Sequence, residues 1–299
     1  MKLAFSTAWA DGNMDRVCAV LPHIDSLEIG SKGDGRFFQE LEDLVRKENV
    51  PVTSVHAIAY PGKSVQDADY APRLASLDRQ LRRREIDEMS STAEWALDIG
   101  ARALVIHTGK IEDDELKEMY LDYKQSALIG MPSEALEEQF EEIVRRREEL
   151  SKPHVESIIE VLDILCPRYA ELDFSIETRV NYYEIPLPDE LEFIFQEVSY
   201  PNLGYWHDIG HTCVLDRLGF VPMNTWQQRF AHRCHGAHVH DMDRSLLDHY
   251  PPGEGVLDIH CLLEQFGPGV LLTLEINARN DFESVMRGIH YLRADRIRV

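Results

Sequence analysis

The sequence is short of positive charge and of cysteine, and each shortage excludes a class of protein. Lysine and arginine number 31 against 53 aspartate and glutamate residues, giving a formal net charge of -22. Such an acidic surface repels nucleic acid and anionic membranes, so neither is an expected partner. The five cysteines are scattered and contain no Cys-x-x-Cys pair, which predicts reduced thiols rather than a disulfide framework or a structural zinc site.

Three sequence signals are also missing. The N-terminal run reaches Asp11 without the long apolar core of a signal peptide. No apolar run approaches the length of a membrane-spanning helix. No Gly-x-Gly-x-x-Gly turn follows the first apolar run, which disfavours a doubly wound dinucleotide-binding fold. We therefore expect a cytoplasmic protein without a membrane partner.

The chain does contain a regular alternation of short apolar runs and helical patterns. The apolar runs predict eight strands, at Leu3–Thr7, Ser26–Ile29, Val52–Ala57, Ala103–His107, Asp173–Glu177, Leu203–Asp208, Ala237–His240 and Val270–Ile276. Short, continuously apolar strands are typical of a parallel sheet buried on both faces. Eight strand–helix units in about 250 residues match the size of a TIM barrel. The sequence thus predicts an α/β protein with one (β/α)8 TIM-barrel domain over residues 1–299.

Two helical regions need separate mention. Residues 74–99 predict one long helix that ends at Gly100. Residues 110–172 contain no strand pattern and predict an enlarged helical insertion after strand 4, with helices at Glu112–Leu128, Ser133–Leu150 and His154–Leu165. Its dense charge is typical of solvated helices. The insertion could also form a lid or a dimer contact, so a homo-oligomer remains open.

Metal-ligating residue types stand at the ends of the predicted strands, where TIM barrels carry their chemistry. They are His56, His107, Glu177, Asp208, His238, His240 and Glu275, and His211 follows Asp208 in the first turn of the next segment. Taken singly, each is more often a hydrogen-bonded or solvated side chain. Unpaired acids and imidazoles at the tips of neighbouring strands would remain unsatisfied without a shared cation. The set therefore predicts a divalent metal site.

The ordered motifs together resemble the xylose isomerase-like TIM-barrel superfamily, which includes sugar isomerases, sugar epimerases and the apurinic endonuclease family. The motifs are Ser-Val-His56, Val-Ile-His107-Thr-Gly, Ser-Ile-Glu177, Asp208-Ile-Gly-His211, His238-Val-His240-Asp241, Pro-Pro-Gly-Glu254-Gly and Leu-Glu275. The resemblance covers the whole chain apart from the helical insertion. It identifies the superfamily well but discriminates poorly between the reactions within it.

The resemblance implies roles for these positions. Glu177, Asp208, His238 and Glu275 match a shared four-ligand metal site, in which the two glutamates of epimerases also act as acid and base. His211 matches a substrate-binding histidine of epimerases and a ligand to a further zinc in endonucleases. His56 and His107 match histidines that hold a second zinc with the bridging glutamate.

One loop departs from the endonuclease pattern. That pattern, Asp-x-His, would place an aspartate at position 247, whereas this chain has Leu247-Asp248-His249. His249 remains a candidate metal ligand, but the displaced carboxylate argues against a complete third zinc site. His240 and Glu28, the latter at the end of strand 2, are expected to contact substrate.

Weaker candidates surround these positions. Lys110, Arg179 and Arg244 follow strand ends and could meet an anionic substrate, although solvated side chains are the commoner outcome. An apolar wall for a sugar ring could come from Trp9, Tyr60 and Trp206, and core packing is the more frequent role of a residue such as Trp206.

The first functional hypothesis is a metal-dependent isomerase or epimerase of a sugar or sugar phosphate. Zinc or manganese is the expected metal, with magnesium and cobalt open, and the partner is a small carbohydrate. One alternative is a multi-zinc phosphodiesterase, and another is a lyase or hydrolase acting on an oxidised sugar. A metal-binding barrel without catalysis ranks last, because both candidate acid/base glutamates are present.

Overall fold

The computed structural model describes residues 2–56 and 73–294, and its eight strands close into a parallel barrel in chain order. The strands are β1 Leu3–Ser6, β2 Ser26–Ile29, β3 Val52–His56, β4 Ala103–Ile106, β5 Asp173–Glu177, β6 Leu203–Asp208, β7 Cys234–Val239 and β8 Leu271–Leu274. The first and last strands complete the closure, with Leu3 opposite Leu272. The predicted TIM barrel is confirmed. Strands β2, β5 and β6 have the predicted bounds, and the ends of the other strands differ from the predicted ones by at most three residues.

Ten α-helices surround the described barrel. They are α1 Met14–Val20, α2 Gly35–Glu48, α3 Arg79–Asp98, α4 Asp114–Leu128, α5 Ser133–Arg168, α6 Pro188–Glu197, α7 Ile209–Arg217, α8 Thr225–Phe230, α9 Ile259–Leu263 and α10 Phe282–Ala294. The short helix α8 lies where the pattern predicts none. Among the described helices, none combines the length and the apolar character needed to cross a bilayer.

Local sequence explains most helix boundaries, as α2 shows. The Asp34 carboxylate caps the helix by accepting a hydrogen bond from the Phe37 amide at 2.8 Å. Apolar residues at helical spacing, including Phe38 and Leu41, are buried against the barrel. The helix ends at Asn49, which adopts a left-handed conformation.

The prediction of a helix from residue 74 is wrong at its start. Helix α3 begins only after Asp78, whose carboxylate accepts from the amides of Gln80 and Leu81. The preceding Leu74 and Ala75 are buried, and the Ala75 amide donates to the Thr108 carbonyl at 2.8 Å. Apolar spacing there reflects contact with the barrel rather than helical periodicity.

The prediction of separate helices at Ser133–Leu150 and His154–Leu165 is also wrong. Helix α5 runs unbroken through Pro153 for 36 residues. Proline lacks an amide donor and normally kinks or ends a helix. Here His154 is buried just after it and hydrogen-bonds the Ala75 carbonyl through Nδ1 at 2.8 Å. Tertiary packing of α5 against the barrel thus overrides the local proline signal.

The barrel interior is filled beneath the carboxyl ends of the strands. Ala103, Val105 and Trp206 form a buried cluster inside the barrel. Gly236 allows this packing, because a Cβ atom there would overlap the Trp206 ring. The Trp206 ring lies 5.4 Å from the His238 ring, centre to centre. Trp206 is therefore a core residue and forms the floor below the strand-end site.

Candidate metal centre and active site

The four residues of the predicted shared metal site converge at the carboxyl end of the barrel. Parallel pairing of β6 and β7 places Asp208 beside His238, while Glu177 ends β5 and Glu275 follows β8. Each residue offers one donor atom, and the four donor atoms lie within 4.8 Å of one another. All four residues are buried. Their roles as metal ligands remain a prediction, but the geometry required for those roles is present.

His238 lies at the centre of this group. Its Nδ1 lies 2.8 Å from Glu177 Oε1, 3.1 Å from Glu275 Oε2 and 3.7 Å from Asp208 Oδ2. Although burial opposes the shift, the carboxylates of Glu275 and Glu28 raise the pKa of His238 well above its usual value. A proton on this ring supplies the positive charge that the surrounding carboxylates attract.

Glu28 lies behind His238 rather than in open space. Its side chain is fully buried, with Oε1 at 3.1 Å from His238 Nε2 and Oε2 accepting from the Ser54 hydroxyl at 2.8 Å. A carboxylate on the outer nitrogen commonly fixes the orientation of a metal-binding histidine. This placement favours an orienting role for Glu28 over the predicted contact with substrate.

A second donor group contains His56, His107 and Glu177. The Nε2 atoms of the two histidines lie 2.6 Å apart, and His107 Nε2 lies 2.7 Å from Glu177 Oε2. Burial, followed by the charge of Arg179, lowers the pKa of His107 to about 4. Burial lowers the pKa of His56, but the charges of Glu275 and Glu177 outweigh this effect, so the pKa is raised.

A third donor group contains Asp208, His211, His240 and His249. Asp208 caps α7, accepting a hydrogen bond from the His211 amide at 2.7 Å, which confirms the predicted position of His211 in the first turn. The His211 ring directs Nδ1 to the Thr178 carbonyl at 2.9 Å. Because Nδ1 must donate there, Nε2 carries a free lone pair.

His240 uses both ring nitrogens inside this third group. Its Nδ1 accepts from the His249 amide at 3.0 Å, so Nε2 carries the proton and donates to Asp208 Oδ1 at 2.9 Å. The ring is completely buried. These contacts suit a residue that orients Asp208 and leave no nitrogen for the predicted substrate contact.

The displaced carboxylate of Asp248 still faces the third group. Leu247 is exposed, whereas Asp248 Oδ1 lies 2.9 Å from His249 Nδ1 and Oδ2 lies 3.8 Å from His211 Nε2. Left-handed backbone at Leu246, with φ of 63°, and at His249, with φ of 59°, turns the loop in this way. No sequence signal indicates such a conformation at Leu246, because residues other than glycine, Asn, Asp and His rarely adopt it. Despite the one-residue displacement, the Asp248 carboxylate thus contacts His249 and faces His211 at the edge of the group.

Asp241 holds the loop that carries these residues. Its buried carboxylate accepts hydrogen bonds from the amides of Gly253 at 3.1 Å, Gly255 at 2.9 Å and Leu257 at 3.0 Å. A Cβ atom at Gly255 would overlap this carboxylate, so the loop requires glycine there. The Gly253-Glu254-Gly255 motif is therefore a loop tied to Asp241.

Arg179 is the main site residue that sequence patterns place poorly. Its side chain is only 13% exposed, whereas a solvated side chain is the expected outcome. The guanidinium contacts Glu177 Oε2 through Nη1 and Glu184 Oε1 through Nη2 at 3.1 Å. The only sequence signal is its position two residues after a strand-end glutamate.

Other weak candidates are Arg244, Trp9 and Tyr60, and none of them is placed in the donor groups of the described residues. Arg244 is exposed, as expected for a solvated side chain. Trp9 is buried, and its Nε1 donates to the Asn280 carbonyl at 2.9 Å, so it belongs to the core rather than to a sugar-binding wall. Tyr60 lies outside the described residues, as does Ala57 at the end of the third predicted strand.

The charge balance of the site fits a divalent cation. Six carboxylates lie here, those of Glu28, Glu177, Glu184, Asp208, Asp248 and Glu275, facing the permanent charge of Arg179 and the protons that His56, His238 and His249 can hold. Buried carboxylates are costly without a compensating cation. Within the described residues, the buried Oε2 of Glu275 also lacks a hydrogen-bond donor, since His238 Nδ1 is directed at Glu177. Mixed carboxylate and imidazole donors suit zinc or manganese.

Comparison with known proteins agrees with this architecture. A family model described as a xylose isomerase-like TIM barrel matches residues 20–295. The chain belongs to this family. No curated protein sequence matches it.

Solved structures of this family share the fold at low sequence identity. One is a D-tagatose 3-epimerase-like protein, with TM-score 0.66 and 18% identity, covering 98% of this chain and 96% of the other. A second is D-allulose 3-epimerase from Methylomonas sp. in complex with D-allulose, with TM-score 0.66, 14% identity and coverage of 100% and 97%. A third is an IolI protein with a bound zinc atom, with TM-score 0.62, 16% identity and coverage of 99% and 97%.

Proposed function

We propose that this protein is a divalent-metal-dependent isomerase or epimerase of a sugar or sugar phosphate. The observation that carries the proposal is the convergence of Glu177, Asp208, His238 and Glu275 within one buried donor group at the barrel mouth. Members of the fold family that are named for tagatose and allulose epimerisation support a ketose substrate. A bound zinc in a third relative supports a metal-dependent function.

The charge states of the two glutamates leave a carboxylate available as the base for proton transfer beside a carbonyl. When bound by these four residues, a divalent ion would polarise the substrate carbonyl and its neighbouring hydroxyl. Burial by itself would raise the pKa of both glutamates, but neighbouring groups lower it by more. His107 and Arg179 hold the pKa of Glu177 well below its usual value. His238 and His56 hold the pKa of Glu275 well below its usual value. Both glutamates are therefore ionised at neutral pH. One would take a proton from the substrate carbon, and the other would return a proton that it has first gained from solvent.

His211 supplies a group that could fix a substrate hydroxyl. Its Nδ1 is engaged by the Thr178 carbonyl, which leaves Nε2 as a hydrogen-bond acceptor at the edge of the group. A hydroxyl held there would keep the sugar oriented between the two glutamates.

Deuterium exchange tests the proposal directly. Metal-loaded protein is incubated in deuterated water with ketoses, including tagatose, allulose, ribulose and their phosphates. We expect deuterium at the carbon beside the carbonyl, and a loss of about 10³-fold in Glu275→Gln, since a positioned acid or base contributes on the order of 10² to 10⁴. Glu48→Gln, at an exposed position, is the matched control. No exchange with any of these sugars in the metal-loaded protein would count against the proposal.

A multi-zinc phosphodiesterase is the second candidate, and one observation favours it. His56, His107, His211 and His249 extend the donor set beyond what one ion needs. The net charge of -22 opposes binding of a nucleic-acid duplex. Cleavage of an abasic duplex by zinc-loaded protein, abolished in Glu177→Gln, would reverse this ranking. Adding sugar acids to the exchange panel tests the lyase alternative.

A further inference from the structure

Arg179 lies where a second cation would contact Glu177. We propose that this arginine takes the place of a second metal ion, so that the donor group of His56, His107 and Glu177 holds no metal in the native protein. The inference rests on the proposed metal centre of Glu177, Asp208, His238 and Glu275 and deepens it. It makes Arg179 a positioning residue that determines how many metal ions the protein binds.

Both carboxylate oxygens of Glu177 are already engaged. Oε1 lies 2.8 Å from Nδ1 of His238, which places it toward the four-residue metal centre. Oε2 contacts the Arg179 guanidinium through Nη1 and lies 2.7 Å from Nε2 of His107. A metal ion between the two histidines would have to share Oε2 with the guanidinium. Glu177 can therefore serve the four-residue centre with one oxygen while Arg179 holds the other.

The guanidinium is held in place by protein groups that lie outside the metal centre. Its Nε and Nη2 atoms donate to Glu184 Oε1 at 3.2 and 3.1 Å. The other oxygen of Glu184 accepts from the backbone amide and the side-chain amide of Asn181, each at 2.9 Å. Arg147 in turn donates to the Glu184 carbonyl at 3.0 Å. Arg179 is thus fixed before any metal binds and cannot swing away at little cost.

A fixed guanidinium opposes a metal ion for two reasons. Arginine cannot lose its proton in a protein, so its charge is permanent and repels a divalent ion a few ångströms away in a poorly solvated site. It also occupies the carboxylate oxygen, which leaves two imidazoles as protein ligands, fewer than the three or four that zinc sites use. Loss of the arginine charge should therefore create a metal site that the native protein lacks.

This assignment changes the role of the two histidines. His56 Nδ1 lies 3.2 Å from Glu275 Oε1, and the Nε2 atoms of His56 and His107 are 2.6 Å apart. Together with the contact from His107 to Glu177, these rings connect the two glutamates by short polar contacts. We therefore assign His56 and His107 to the orientation of Glu275 and Glu177.

Metal counting in full-length variants tests the inference with a readout that does not depend on activity. Metal-free protein is titrated with manganese or zinc, and bound metal per chain is measured by mass spectrometry after equilibrium dialysis. We expect Arg179→Met to bind one more ion than the wild type, with a gain of at least about 100-fold in the affinity of that ion. The extra ion should disappear in the double variant Arg179→Met with His107→Ala. Arg179→Lys, which keeps the charge, and Arg244→Met, which removes an exposed arginine, should bind as many ions as the wild type.

A single substitution in the wild-type protein provides an independent test of the inference. We expect His107→Ala to bind as many ions as the wild type, because His107 is not a ligand there. Loss of one ion in His107→Ala overturns the inference, and so does an unchanged ion count in folded Arg179→Met. If Arg179→Met does not fold, a second variant that also carries Glu184→Gln removes the unpaired anchor charge. Absence of any bound ion in the wild type would instead refute the proposed metal centre, so the two failures are distinguishable.

Discussion

The proposed metal centre has two flanks of opposite charge character. We call His56, His107, Glu177 and Arg179 the arginine flank, and His211, His240, His249 and Asp248 the aspartate flank. Both bring several histidines within reach of a ligand of the centre, Glu177 on one side and Asp208 on the other. One flank ends in a permanent cation, whereas the other ends in a carboxylate. We therefore expect the neighbouring charge to decide whether each histidine cluster repels or attracts a cation.

Removing the residue that both flanks border should have the largest effect. His238→Ala deletes a ligand of the four-residue centre, so we expect bound metal to be lost and deuterium exchange to fall by about 10³-fold, since metal polarisation contributes several kcal/mol. Chelation of the wild type should reproduce the loss, and added zinc or manganese should reverse it. His232→Ala, at an exposed histidine, is the control. Full activity in chelated protein would refute a shared metal centre.

Loosening the loop that carries part of the aspartate flank should lower the free energy of unfolding. Asp241→Ala removes the hydrogen-bond acceptor of three loop amides, and each such hydrogen bond contributes on the order of 1 kcal/mol. We expect a loss of about 3 kcal/mol in the free energy of unfolding, measured by urea denaturation. The number of metal ions bound per chain should not change, because the proposed four-residue centre lies outside this loop and the arginine flank holds no ion. A variant as stable as the wild type would show that the loop does not depend on Asp241.

The pH dependence of stability should differ between Asp248→Asn and the wild type. Burial lowers the pKa of His249, but Asp248 and Glu275 raise it by more, to about 10. The protonated ring therefore stabilises the metal-free fold. That contribution is complete below the unfolded-state pKa near 6.5 and is lost as pH rises through about 10. Asp248→Asn should destabilise the metal-free protein by about 2 kcal/mol at pH 6 and by less at pH 10. Equal effects at both values would refute the His249–Asp248 pair.

Releasing the anchor of the arginine flank should have the smallest effect. Glu184→Gln keeps the shape of the anchor but removes its charge, so Arg179 is held less firmly against Glu177. We expect the affinity for an additional ion to rise by about 10-fold, less than in Arg179→Met, because the guanidinium charge remains. Metal titration followed by dialysis measures this change. A larger gain than in Arg179→Met would show that Glu184, not Arg179, controls the flank.

The fold was largely predictable because burial leaves a strong pattern in a parallel barrel. Short apolar runs such as Ala103–Ile106 are buried on both faces, and polar residues that follow them must lie at the barrel mouth. Prediction failed where packing overrode a local signal. Pro153 lies inside α5 because the helix packs against the barrel, and Leu74 is buried without being helical. Neither outcome is encoded in a short window of sequence.

The sequence by itself determined the strand–helix alternation and the identity of the acids and imidazoles at the strand ends, because strand periodicity and position in a parallel barrel follow from local composition. Only the tertiary structure decided which neighbours these groups have. Arg179 reaches Glu177 through an anchor at Glu184, and Asp248 faces His211 through left-handed backbone at Leu246 and His249. Such contacts depend on loop conformations and on side chains from several strands, which no linear pattern records. Those contacts set the local charge, and thereby where a cation can bind.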